Sequence, residues 1–155
     1  MNWAIVFYNI MMNIRQGYYS FLGSGSCRNV FDLGNGYVVK IAKNMAGIAQ
    51  NKSEYKISKS DKSKLFAKII QISNDSSMLI MEKADKLYNL SYIWEYFNVK
   101  NEIELFELME FQKIKHEYNL ELGDLERKSS WGVIKGHPVI IDYGFTKEVN
   151  QKYYF

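Results

Sequence analysis

Four ionisable residues stand out by type and setting: Lys40, Glu54, Asp124 and Asp142. Lys40 lies inside the run Tyr37-Val-Val-Lys-Ile-Ala42, and Asp142 ends the apolar run Val139-Ile-Ile and is followed by Tyr143-Gly144. A charge on a buried strand must be paired or bound to a metal, because leaving it uncompensated is expensive. Asp124 sits 18 residues before Asp142 in the loop Gly123-Asp-Leu125. An ammonium that faces a cleft can meet both an acid and a phosphate. Alternation along a strand puts Val38, Lys40 and Ala42 on one face, with Val39 and Ile41 on the other. Lys40 therefore faces either solvent or a cleft where Glu54, on the next element, supplies a counter-charge.

The elements that must position these groups follow from periodicity and turn signals. Tyr18 to Leu22, Arg28 to Leu33 and Tyr37 to Ala42 read as three strands. Gly23-Ser24-Gly25-Ser26 breaks the first, and Gly34-Asn35-Gly36 is a tight-hairpin signal. A glycine pair in a hairpin also allows close approach of a bulky anion, although an ordinary turn uses the same residues. Gly47 to Lys59 reads as a helix, Leu65 to Ile72 and Ser77 to Glu82 as two more strands, and Leu90 to Phe97 as a helix. Ile103, Phe106, Leu108, Met109, Phe111 and Ile114 mark a broad apolar helical face, with Glu102, Glu104, Glu107 and Glu110 outward. Trp131 to Ile134 and His137 to Ile141 form a last hairpin around Lys135-Gly136. The order implies an α+β fold built on an antiparallel sheet.

The motifs G23-S-G25-x-x-R28-x-V30, Y-V-V-K40, Glu54, L79-I-M-E-K-A84, G-D124-L and I-I-D142-Y-G144 stand in the order of the protein-kinase-like superfamily, which the chain resembles from about Tyr18 to Thr146. The resemblance implies a five-stranded antiparallel N-lobe with a helix over residues 1–83, and a reduced, mainly helical C-lobe over residues 84–155. It also implies ATP and Mg²⁺ as cofactors. Gly23, Ser24 and Gly25 would cover the phosphates, and Lys40 would contact them while paired with Glu54. Met81 and the backbone of Glu82 to Ala84 would hold the adenine. Asp124 would orient the attacking hydroxyl, and Asp142 would hold the metal. The chain departs from the family pattern at the third glycine, which is Arg28. Leu122-Gly123 replace His-Arg, and Tyr143 replaces Phe. At the second metal position Ser129, with Ser130 next, replaces Asn. Eleven residues follow Gly144, too few for an activation segment and a peptide-binding lobe, so the implied protein is a minimal or truncated member.

Composition narrows the partners. A net charge of +3 over 155 residues is too mild to imply nucleic acid or an anionic membrane. The basic stretch Lys56 to Lys68, broken by Ser and Asp, reads as a solvated face. Cys27 is the single cysteine, so no disulfide forms and a reducing cytoplasm fits. Two scattered histidines and one cysteine give no metal-ligand spacing. Ala4 to Met12 is too short to span a bilayer and reads as a strand or short helix docked on the core. The aromatic tail Gln151 to Phe155 is expected to pack back on the protein. Three functions fit these observations. The first is a minimal ATP-dependent phosphotransferase. The second is an inactive kinase-like adaptor, inhibitor or nucleotide sensor acting on a partner protein. The third is a plain interaction domain, in which Lys40 and Glu54 would not meet.

Overall fold

The computed structural model describes residues 1–154. Helix α1, Trp3–Arg15, begins at Asn2, whose side chain accepts a hydrogen bond from the Ile5 N–H at 3.3 Å. Strands β1, Ser20–Ser24, β2, Arg28–Asp32, and β3, Tyr37–Ala42, follow as an antiparallel meander. Gly34 (φ 76°) and Gly36 (φ 90°) take the left-handed conformations that the β2–β3 turn requires. Helix α2, Met45–Ser60, is capped by Asn44, which accepts from the Gly47 N–H at 3.0 Å. Strands β4, Ile69–Ile72, and β5, Met78–Glu82, complete a five-stranded antiparallel sheet in the order β1-β2-β3-β5-β4.

Alternation divides the sheet's two faces as expected for β3. Val39, Met78 and Ile80 bury against Phe7 and Ile10 of α1. Val38 and Met81 face the other way, into the larger core with Ile57 of α2, Phe111, Trp131, Ile140 and Tyr143. Helix α1 thus closes one side of the sheet and leaves the other for α2 and the second half of the chain.

That second half contains β6, Asp85–Lys86, and the helices α3, Ser91–Tyr96, α4, Glu102–Glu107, and α5, Met109–Tyr118. Two short 3₁₀ turns, Leu122–Glu126 and Lys128–Ser130, lead into β7, Trp131–Ile134, and β8, His137–Ile140; α6, Lys147–Tyr153, ends the described chain. Strands β6, β7 and β8 form a small antiparallel sheet, so this half is less purely helical than expected. Among the described residues the architecture is α+β, with six α-helices and a five-stranded antiparallel sheet. No helix among them is long and apolar enough to cross a membrane.

Three elements differ from the sequence reading. Strand β1 runs two residues later than Tyr18 to Leu22, with a bulge between Phe21 and Gly23 that absorbs the shift. Leu65 to Ala67 does not extend β4: the Ala67 N–H donates to the Ile140 carbonyl at 2.9 Å and the Ile140 N–H to the Leu65 carbonyl at 2.7 Å, stitching the two halves together. The single face from Ile103 to Ile114 breaks at Leu108, whose extended backbone (φ −60°, ψ 141°) separates α4 from α5. Leu105, Phe111 and Ile114 still bury, but Ile103 and Met109 turn to solvent.

Candidate functional site

The charged residues converge at one place. Lys40 points off β3 onto the inner face of the sheet, where its ammonium meets the Glu54 carboxylate at 2.9 Å. Both side chains are buried, so the outer-face alternative for Lys40 fails, and so does the expectation that the two groups would lie apart. Lys40 also donates to the Ile141 carbonyl. Glu54 is held from the opposite side by the backbone N–H groups of Tyr143 and Gly144, each at 3.0 Å. Gly144 is needed for that approach: a Cβ there would stand 2.6 Å from the Gln50 carbonyl oxygen of α2. The residue after Asp142-Tyr143 is therefore a glycine because helix and chain pass too close for a side chain.

Arg28 is the residue that sequence reasoning missed. Its guanidinium forms a fork on Glu54, with Nη1 to Oε1 at 2.9 Å and Nη2 to Oε2 at 2.7 Å, a bidentate geometry of the strong kind. Nη1 also reaches Asn51 Oδ1 at 3.1 Å, and Nη2 reaches Asp142 Oδ1 at 3.0 Å. The one available signal was an arginine opening a strand that faces two acids, and nothing periodic marks such a coincidence. Asp142 is thus explained in part as the partner of a buried cation.

The energetics favour the ionised network. Burial pushes the Glu54 carboxyl up, but Arg28 first and Lys40 second outweigh it and bring its pKa down to about 2. Burial opposes the charge on Arg28, and Glu54 and then Asp142 overcome it and raise its pKa. Lys40 moves the other way: burial and then the neighbouring Arg28 lower its pKa, with only partial compensation from Glu54. The carboxylate serves two cations, and the rigid guanidinium with its two-point contact takes the larger share.

Arg28, Lys40 and Asp142 line a cleft of about 650 Å³ between the sheet and the second half of the chain, with Glu54 fully buried behind them. Gly23, Ser24 and Gly25 form its roof, Val30, Val38 and Met81 its apolar wall, and Asp124, Ser129 and Asp142 its opposite side. Neither Gly23 nor Gly25 has a left-handed φ, and a Cβ on either would meet nothing within 4 Å. The fold itself does not require glycine at these two positions. Lys43 steadies the roof, donating to Ser24 Oγ at 2.7 Å and the Gly25 carbonyl at 2.6 Å.

The segment after β5 is more committed than expected. The Glu82 N–H donates to the Lys68 carbonyl and the Lys83 N–H to the Gly36 carbonyl, both at 2.9 Å. Of the three residues whose backbone was expected to hold the adenine, Ala84 alone has an N–H without a partner among the described residues.

Asp124 pairs with Arg127, while burial first and the charge of Asp142 second raise its pKa. Ser130 is buried and donates its hydroxyl to the Asp124 carbonyl at 2.7 Å, so Ser129 is the serine that faces the cleft. The donor set does not fit a resident magnesium ion. Asp142 already carries Arg28 and Asp124 carries Arg127, so each carboxylate that would take the ion is already paired with a cation.

The aromatic tail packs back, as expected for Tyr154. Its hydroxyl lies 2.7 Å from Cys27 Sγ and accepts from Gln50 Nε2 at 3.2 Å, and its ring meets Phe145 edge-on. Phe155 lies outside the described residues. Comparison with protein-family models and with curated proteins returns no match to this chain.

Proposed function

We propose that this protein is a minimal protein-kinase-like domain whose cleft binds an adenine nucleotide such as ATP, and that the bound nucleotide controls its contact with a partner protein. The observation that carries the reading is the buried Lys40–Glu54 pair on the wall of the cleft. An ammonium has three N–H donors. Two are taken by Glu54 and the Ile141 carbonyl, which leaves the third for a phosphate oxygen. Gly23 and Gly25 leave room over the phosphates, Met81, Val30 and Val38 offer an apolar wall to the base, and the Ala84 N–H is free to recognise its edge.

The sensor reading stands ahead of catalysis because each acid that would handle a metal or a hydroxyl already holds an arginine. A second reading, phosphoryl transfer with Mg-ATP, draws on Asp124, which lines the same cleft as Lys40 and Asp142. There Asp124 would orient the acceptor hydroxyl.

Thermal melting with a panel of nucleotides tests the proposal. A ligand that binds only the native state stabilises it by about 2.7 kcal/mol at a hundred times its Kd. ATP is expected to raise the melting temperature of the native chain and not of Lys40→Met, in which Glu54 keeps Arg28. A panel without any shift overturns nucleotide binding. Transfer of labelled γ-phosphate, lost in Asp124→Ala, would select the phosphotransferase instead.

A further inference from the structure

Arg28, Lys40, Arg127, Asp124 and Asp142 line the cleft, and Glu54 lies buried behind it, bonded to Arg28 and Lys40. Glu82 also borders the cleft, but its carboxylate is turned to the Lys68 N–H at 2.8 Å. Lys40 and Glu54 cancel. Without the arginines, Asp124 and Asp142 would present two uncompensated negative charges to an anionic ligand. A divalent cation is the usual remedy, since it is bound by one or two carboxylates together with substrate phosphates. In this cleft Arg127 holds Asp124, and Arg28, forked on Glu54, also reaches Asp142.

We infer that Arg28 and Arg127 take the place of a divalent cation here, so that the phosphates of a nucleotide bind without magnesium. The inference rests on the nucleotide-binding reading of the cleft and adds the ionic form of the ligand. Arg28 is suited to the role because it cannot move away. All four of its Nη hydrogens are engaged, two on Glu54, one on Asn51 and one on Asp142. A guanidinium also cannot lose its proton in a protein. A metal ion approaching Asp142 would have to share that carboxylate with the Arg28 guanidinium, which already sits 3.0 Å from Oδ1, and the two cations would repel each other. Arg127 is the exposed member, and among the described residues its side chain bonds to Asp124 alone. It can stay on Asp124 or lean toward a phosphate. Glu54, Asp124 and Asp142 each have a cationic partner, so the third Lys40 N–H can meet a phosphate without an unpaired carboxylate of this set facing it.

Calorimetric titration of the whole chain with ADP and with ATP, once in EDTA and once in excess magnesium, tests this. The expected result is a Kd that differs by less than about threefold between the two conditions. A loss of affinity greater than about tenfold in EDTA overturns the inference while leaving nucleotide binding intact. Absence of binding in both conditions overturns both. Arg127 is exposed, so Arg127→Ala folds and gives an independent arm. It is expected to weaken binding about tenfold in EDTA and to regain it with magnesium, which then restores the missing charge beside Asp124. An equal loss under both conditions overturns the exchange of arginine for metal.

Discussion

Glu54 is the residue on which the charge network turns. It accepts from Arg28 through both oxygens, from Lys40, and from the backbone of Tyr143 and Gly144. An amide in its place has one acceptor atom and turns an N–H₂ toward these donors. Glu54→Gln is therefore expected to cost about 3–5 kcal/mol, the range for breaking a buried ion pair, read as a lower urea midpoint at an unchanged slope. A cost under about 1 kcal/mol would mean that the pairing contributes little. The pH dependence carries a sign. A carboxyl whose folded pKa is depressed stabilises the protein fully above its unfolded value and loses that contribution as pH falls. For Glu54 the loss should run from about 4.5 down to about 2. Urea melts across that window should show a steeper decline for the native chain than for Glu54→Gln; parallel declines would place the acid sensitivity elsewhere. At this scale Lys40 and Asp142 were legible, because a charge in or at the end of an apolar strand announces a partner, and Glu54 was legible as the acid that the next helix could supply to Lys40. Arg28 was not. Only the folded chain brings it to α2 and to Asp142, two residues after β8.

Among the elements, α2 is the strut that sets the site, since it carries Gln50, Asn51 and Glu54 on its buried face. The chain after β8 must lie directly on that face to deliver the Tyr143 and Gly144 N–H groups. Gly144→Ala would force a Cβ into the Gln50 carbonyl and is expected to cost about 1–3 kcal/mol, the usual range for overpacking. Gly23→Ala is the counterpart, with nothing within 4 Å of the added carbon. It should leave stability within about 0.5 kcal/mol of the native chain and yet weaken nucleotide binding. If Gly23→Ala binds nucleotide as well as the native chain, the roof does not touch the ligand. The meander, α2 and the last hairpin were legible from alternation, the Gly34-Asn-Gly36 turn and the Lys135-Gly136 turn. The break between α4 and α5 was not. Apolar residues run through Leu108 without glycine or proline, and the one local sign is Asn101, which caps α4 by accepting from the Glu104 N–H at 2.9 Å.

On the scale of the whole molecule, the cleft exists because two halves of the chain are fastened around it. Leu65 to Ala67 pairs with Ile140 on one side, and Tyr154 reaches Cys27 and Gln50 on the other. The α+β order was legible in the sequence. The place of β5 between β3 and β4, and the seat of Tyr154 under the glycine-rich roof, depend on contacts between distant residues and leave no local trace. The central claim is that this enclosed space receives a nucleotide with its phosphates toward Lys40. A crystal structure of the chain grown with a non-hydrolysable ATP analogue tests it most directly. The account predicts phosphate oxygens within hydrogen-bond reach of Lys40 Nζ beneath Gly23 to Gly25, and the base against Met81 with its edge on the Ala84 N–H. An analogue at saturating concentration that leaves this cleft empty, or binds elsewhere, would contradict it.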